Sequence, residues 1–537
     1  MRAPTRAGGV LGIAFGLLLQ SSPGHAQNGD SFADAQSALV PYTNTPHASQ
    51  KDCAALVSLT NGELAVLSAE RVPRRADVPE HCRVSGVIPS EIVFEVNLPL
   101  QWNGRLYMYG NGGFAGNKPA ARGFTRDQAL RRGFATAHTN TGHDAQQEPG
   151  ASFARDNLAK TVDYAFRAVH LTVLAAKGLI GELYERRPAH SYWDGCSTGG
   201  RQGLMSAQRF AEDFDGIVAG APVIDFTGTM IAYLWNSRAL AESPVSRRKV
   251  DLLARKVYGE CDAIDGLEDG LIDDPRRCQL DLAADLPRCG PESRDDCFTS
   301  GELATIRKIY DGPRAAGGSL YPGTPPGAEI VGFASTAQGG VPARISGWEP
   351  WLLTEQAPNA QLAMAESFVK YMAFDTDDAR YEWTAFDFDA DPQRTGTIAA
   401  MLNATDPDLS RFRARGGKML TYFGWADAAL NPCRTVAYYE GLQQAMGTEP
   451  QSFYRLFMVP GMFHCSGGAG ADHIDAMTAV IDWVEAGKAP DRLVGRHLES
   501  GAVKFARPHC PYPQTARYRG TGSRQSAESF VCSTPRK

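Results

Sequence analysis

The chain has 537 residues, beyond what one small core organises, so one large α/β unit with a big insertion, or two domains, is expected. Apolar residues make up 43% and charged residues 21%, which is ordinary for a soluble globular protein and excludes a disordered chain. A net charge of −6 offers no basic footprint for nucleic acid, and no stretch after the N-terminus is apolar enough for a transmembrane helix.

The first 26 residues read as a signal peptide. Arg2 and Arg6 form a positive start, Val10 to Leu19 is an apolar run too short to span a bilayer, and Gly24-His25-Ala26 is a small-x-small cleavage site. A secreted or periplasmic protein beginning at Gln27 is expected, with no membrane attachment after cleavage.

Residues 27–85 are polar and turn-rich, with a short helical stretch around Cys53 to Leu67. Strands are expected at Glu91 to Leu98, Leu106 to Tyr109 and Phe134 to Thr139. Asp156 to Glu185 carries Leu158, Val162, Ala165, Val169, Val173 and Leu179 at helical spacing. A strand at Ser191 to Trp193, a helix from Arg201 to Phe210 and a strand within Phe214 to Gly220 follow. Such alternation argues for a mostly parallel, doubly wound α/β sheet.

From 226 to 415 the alternation stops. Four cysteines, many Asp, Gly and Pro, and aromatics including Trp235, Trp348, Trp351 and Phe368 mark an inserted lid domain. Those aromatics either form its core or line a substrate pocket. The α/β pattern resumes with a strand at Lys418 to Phe423, a helix at Thr435 to Gln444, a strand at Phe453 to Val459 and a helix at Asp472 to Glu485. The chain thus divides into a signal peptide (1–26), a first core part (27–225), the lid (226–415), and a second core part with a cysteine-clipped tail (416–537).

Gly195-Cys196-Ser197-Thr198-Gly199 matches the nucleophile elbow G-x-S-x-G, between an expected strand and helix. Asp427 and His464 lie in loops after later strands, in the order Ser, acid, His that α/β-hydrolases use. Functional residues collect at those strand ends. Thr198 and Gly113 are the expected oxyanion donors, through the N–H after the nucleophile and one in an early glycine loop. If Ser197 and His464 pair, their neighbours Cys196 and Cys465 come close enough for a disulfide.

Eleven cysteines in an exported chain suggest a disulfide framework, and their odd number leaves at least one free thiol. Cys261 with Cys278, Cys289 with Cys297, and Cys510 with Cys532 could each close a short loop. Sequence alone does not fix the connectivity. Zinc is disfavoured because no C-x-x-C pair exists. Residues 261–274 hold five aspartates and a glutamate among glycines, a composition that suits a structural calcium ion although the spacing is not that of an EF-hand.

The run Ser191-Tyr192-Trp193-Asp194-Gly195-Cys196-Ser197-Thr198-Gly199-Gly200-Arg201-Gln202-Gly203, followed by 213–222 (DFDGIVAGAP), resembles the tannase and feruloyl esterase family of α/β-hydrolases, which also holds the mono(2-hydroxyethyl) terephthalate hydrolases. The resemblance covers nearly the whole mature chain. It implies a Ser197, Asp427 and His464 triad with Cys196 bridged to Cys465. It further implies the bridges Cys53–Cys82, Cys261–Cys278, Cys289–Cys297 and Cys510–Cys532, leaving Cys433 free. A calcium ion would be held by the side chains of Asp262, Asp265 and Asp269 and the carbonyls of Leu267 and Leu271. The activity implied is a secreted serine carboxylesterase acting on small aromatic esters, feruloyl or galloyl, through an acyl-enzyme. A terephthalate monoester hydrolase is the alternative.

Three departures bear on that alternative. Phe423 stands where many members carry His four residues before the acid, so a more apolar pocket wall is expected. Thr198 replaces the Glu of some terephthalate-ester enzymes, and no lid arginine is evident for a terephthalate carboxylate. Other classes remain as rivals: an inactive binding protein on this scaffold, against which the intact Ser, Asp and His argue, and a peptidase.

Overall fold

The computed structural model describes residues 31–42, 46–333, 344–349, 351–353, 358–447 and 450–534. The expected signal peptide lies outside them. In chain order the elements that build the central unit begin with β1 (Ala65–Val72), β2 (His81–Ile88), β3 (Ile92–Pro99), β4 (Arg105–Tyr109), α1 (Gly123–Leu130) and β5 (Ala135–Thr139). They continue with α2 (Ala168–Tyr184), β6 (His190–Cys196), α3 (Thr198–Arg209) and β7 (Gly216–Gly220). After a long excursion come β8 (Lys418–Gly424), α8 (Pro432–Met446), β9 (Tyr454–Val459) and α9 (Ala476–Ala486), the excursion itself holding α4 (Phe226–Glu242), α5 (Arg247–Cys261), α6 (Ser300–Asp311) and α7 (Ala360–Tyr371).

The nine strands form one sheet in the order β9-β8-β7-β6-β4-β5-β3-β2-β1. Strands β4 to β9 pair in parallel, and β3, β2 and β1 extend the sheet by antiparallel pairing beyond β5. This is an α/β-hydrolase sheet. Its central strands are buried on both faces, which explains their near-continuous apolar runs. Alternate side chains feed two separate cores. Leu106, Met108, Trp193, Met419 and Leu456 pack with α2, α3 and α8 on one face. Tyr107, Tyr109, Tyr192, Leu420 and Phe457 pack with α9 and the N-terminal residues Phe32 and Tyr42 on the other.

Several expectations need correction. The helical stretch around Cys53 to Leu67 is a 3-10 turn at Cys53–Leu59, and β1 begins at Ala65 within it. The region expected to be turn-rich therefore contains both β1 and β2. These strands carry Ser, Arg and Glu on a face that stays partly exposed, so the apolar signal is diluted. The last helix starts later than expected, at Ala476, because the Asp475 side chain caps it by accepting from Thr478 N. The tail forms two antiparallel pairs, β10 (Leu493–Glu499) with β11 (Ala502–His509) and β12 (Thr515–Tyr518) with β13 (Phe530–Ser533).

Residues 226–415 leave the sheet after β7 and return to it at β8, the neighbouring parallel strand. Trp348, Phe368 and Phe386 are fully or almost fully buried and join the main core cluster.

Candidate active site

Strand β6 ends at Cys196 and α3 begins at Thr198, so Ser197 alone makes the turn. It does so at φ 64° and ψ −122°, a conformation that side-chain-bearing residues rarely adopt. The turn survives because its surroundings are small and pinned. A Cβ on Gly195 would lie 2.7 Å from the Gly199 backbone, so strand and helix could not approach if residue 195 were larger. Ser197 N donates to Gly220 O (3.0 Å) at the end of β7, and Ser197 O accepts from Val223 N (3.3 Å). The side chain is left half-buried at the carboxyl edge of the sheet.

The loops after β8 and β9 supply Asp427 and His464. Asp427 is 1% exposed. Its Oδ1 accepts from the backbone N–H of Ala429 (2.8 Å) and Leu430 (2.9 Å). That leaves Oδ2 facing His464 Nδ1 at 2.8 Å. With the carboxylate as acceptor, Nδ1 is the donor and Nε2, 3.7 Å from Cys465 Sγ, is left as an acceptor. The edge of Trp351, from the inserted segment, packs on the His464 ring (centroids 5.2 Å apart, planes at 86°). No hydrogen bond joins Ser197 Oγ to His464 among the described residues, and such contacts commonly tighten only around substrate.

Disulfides join Cys196 to Cys465, with Cα atoms 6.0 Å apart, and hold the serine turn beside the histidine loop. The other four are Cys53–Cys82, Cys261–Cys278, Cys289–Cys297 and Cys510–Cys532, with Cys433 free.

A family model described as tannase and feruloyl esterase matches residues 76–533. The chain belongs to the tannase and feruloyl esterase family. Among its relatives, a mono(2-hydroxyethyl) terephthalate hydrolase of Piscinibacter sakaiensis is 35% identical, with 86% of each chain covered. A probable feruloyl esterase B-1 of Aspergillus oryzae is 32% identical, over 82% of this chain and 81% of that one. The crystal structure of feruloyl esterase B from Aspergillus oryzae superposes with a TM-score of 0.77 at 27% identity, covering 90% of this chain and 100% of the other. This member of the tannase and feruloyl esterase family is a carboxylic ester hydrolase.

In this esterase Thr198 opens α3, so its N–H has no intrahelical acceptor and lies at the positive end of the helix. Gly113 lies in the loop after β4 at φ 54°, where a Cβ would meet nothing within 4 Å. Phe423, expected to make the pocket wall more apolar, is fully buried in the core cluster.

The acidic loop borders a cavity whose lining does not include Ser197, Asp427 or His464. Asp265, Leu267, Asp269, Leu271, Asp273 and Arg507 help line this cavity of about 650 Å³. Asp262 accepts from the N–H groups of Asp269 and Gly270, Asp265 accepts from Leu267 N (2.9 Å), and Asp269 pairs with Arg507 (2.7 Å). Asp273 keeps a buried Oδ2 without a partner. Burial first, and then the neighbouring carboxylates, push Asp265 up to about 6; burial likewise raises Asp269 and Asp273. The donor chemistry fits a hard divalent cation, since the carboxylates of the loop outnumber the two arginines that pair with them, Arg507 on Asp269 and Arg276 on Asp274. Among the described residues, no group of three or more acidic, His or Cys side chains is already arranged to chelate an ion.

Sequence reasoning missed the supports of the acid turn. Gln361 of α7 donates to Ala428 O (2.9 Å), Tyr233 of α4 donates to Ala429 O (2.8 Å), and Asn236 of α4 donates to Gln361 Oε1 (3.1 Å). Nothing local in the sequence marks these residues, because their partners lie far along the chain.

Proposed function

We propose that this esterase uses Ser197, His464 and Asp427 to hydrolyse esters of hydroxycinnamic or hydroxybenzoic acids. The observation that carries the reading is the oriented Asp427–His464 pair, tied to the serine turn by the Cys196–Cys465 bridge. His464 Nε2 takes the Ser197 proton as Oγ attacks the ester carbonyl. The N–H groups of Thr198 and Gly113 receive the oxyanion, and the carbonyl re-forms as the alcohol leaves with the proton from His464. Water, deprotonated by His464, then releases the acid and restores Ser197. Asp427 stays ionised and stabilises the imidazolium.

Residues 226–415 act as the lid in this reading, with Trp351 set over His464 from that side. The supports for an oxidising, exported location are five disulfides and the expected signal peptide. Among the described residues no helix is long and apolar enough to cross a membrane. A structural calcium ion would be held by Asp262, Asp265 and Asp269 with the carbonyls of Leu267 and Leu271, and would neutralise these half-buried acids. The terephthalate monoester reading is favoured by one observation, the 35% identity with the Piscinibacter sakaiensis enzyme.

Methyl ferulate, methyl gallate and a terephthalate monoester, assayed side by side, test the proposal. The wild type should turn over ferulate or gallate fastest. Ser197→Ala should retain its fold and lose turnover by about 10⁵-fold or more. Near wild-type turnover by that variant sinks the mechanism, and a clear preference for the terephthalate ester transfers the substrate to the second reading.

A further inference from the structure

The loop that carries Gly113 is held by side chains whose role goes beyond filling space. Gly112 O accepts from Ala115 N (2.9 Å), closing a tight turn over 112–115. A carbonyl committed to the inside of that turn sends the N–H of the same peptide, that of Gly113, outward. The next carbonyl, Gly113 O, receives two hydroxyl donors, Thr198 Oγ1 at 2.7 Å and Tyr164 OH at 2.9 Å. Two donors fill both lone pairs of one carbonyl oxygen. Both peptides flanking Gly113 are therefore fixed, one by the turn and the other by two side chains.

Tyr164 is aimed by a defect in its own helix. The helix that continues as α2 begins at Leu158 and widens into a π segment at Asp163–Arg167. Such bulges are frequent at functional sites. The fully buried Arg201, four residues after the nucleophile, donates to Tyr164 O (3.3 Å) and Ala165 O (3.1 Å) inside that bulge. Its guanidinium also stacks over the Tyr164 ring, 4.9 Å from the centroid. The helix that follows the nucleophile thus reaches the oxyanion loop twice, directly through Thr198 and indirectly through Arg201 and Tyr164.

We propose that Tyr164 and Thr198 are positioning residues that clamp the Gly113 carbonyl and so fix the oxyanion hole. The proposal rests on the esterase mechanism above and deepens it. An oxyanion donor acts through preorganisation, and its loss costs about 10²–10³-fold in rate. Loosening a donor without deleting it should cost less, about 10- to 50-fold. The loss should fall on the transition state.

The test measures Tyr164→Phe, Thr198→Val and Thr198→Ser with whichever ester the wild type hydrolyses. It also measures binding of an arylboronic acid, which forms a tetrahedral adduct on the serine, and binding of the product carboxylate. Tyr164→Phe and Thr198→Val should each lower kcat about tenfold or more with KM changed less than threefold. Arylboronate affinity should fall in step with kcat/KM while product affinity holds. Thr198→Ser should recover most of the rate. Unchanged kcat in both hydroxyl-deleting variants overturns the clamp, and so does a loss spread equally over arylboronate and product binding. If Tyr164→Phe does not fold, the Thr198→Val and Thr198→Ser pair decides alone. A wild type that cleaves no ester defeats the functional reading instead, so the two failures are separable.

Discussion

Ser197 occupies its strained backbone position at a cost of about 1–3 kcal/mol, offset by the packing of β6 and α3 around it. Three residues earlier, Asp194 carries a second burden beside Tyr107 of the second core. It is a buried carboxylate held by Ser31 Oγ (2.5 Å) and Tyr107 OH (2.8 Å). Burial raises its pKa to about 6, against the opposing pull of those two hydroxyls. Because the folded state holds this proton more tightly than the unfolded chain, the group favours folding at low pH. That contribution disappears as pH rises from about 4 through about 6. The full change is on the order of 3 kcal/mol. Asp194→Asn removes the titration. Its Tm relative to wild type should therefore climb between pH 4 and pH 7 and then level off. A Tm difference that stays constant over that range excludes the assignment.

At the scale of elements, burial decides what was legible. Strands β4 and β6 to β9 announced themselves because both faces are covered and most of their positions are buried, which leaves few polar residues in each run. The inserted helices were not legible. In α4, buried residues such as Phe226, Met230, Tyr233, Asn236 and Ala239 mix polar and apolar types, so no clear stripe forms. Helix α6 did carry a readable start, the capping box of Thr299 and Glu302, although its apolar positions were too few to draw notice. Ser197, Asp427 and His464 were legible as candidates because each follows a strand and one lies in a motif. Tyr164 and Gln361 were not, since their contacts with Gly113 and Ala428 span 51 and 67 residues and leave no local trace. The acidic loop was legible from composition, and it supports a prediction at this scale. A cation that binds only the folded loop stabilises by mass action, about 2.7 kcal/mol at a hundredfold excess over Kd. Chelation with EDTA should lower Tm by several degrees, and calcium should restore it better than magnesium, which dehydrates reluctantly. An unchanged Tm after exhaustive chelation rules out a structural ion there.

Over the whole molecule, the Cys196–Cys465 bridge closes a chain separation of 269 residues, and that loop contains the entire insertion. In the chain-entropy model so long a closure stabilises by on the order of 5 kcal/mol, through the unfolded state. Its native-state effect is different and local. Cys196 ends β6 and Cys465 lies in the loop after β9, so the link crosses the ends of β7 and β8 and joins the turn of Ser197 to the loop of His464. Backbone hydrogen bonds already join these strand ends in steps, Ser197 N to Gly220 O, Ala221 N to Tyr422 O and Ala426 N to Met462 O, and the bridge adds a direct link between the first loop and the last. Exchange with the remaining thiol is disfavoured, because burial pushes Cys433 up to about 11 and leaves little thiolate to attack. Changing both bridge cysteines to serine should therefore do two separable things. Tm should fall through the entropy term, and kcat should fall at temperatures far below the new Tm, where circular dichroism still reports the native fold. If turnover per folded molecule instead stays at the wild-type level until the structure melts, the bridge is a staple for the chain and contributes nothing to the alignment of Ser197 with His464.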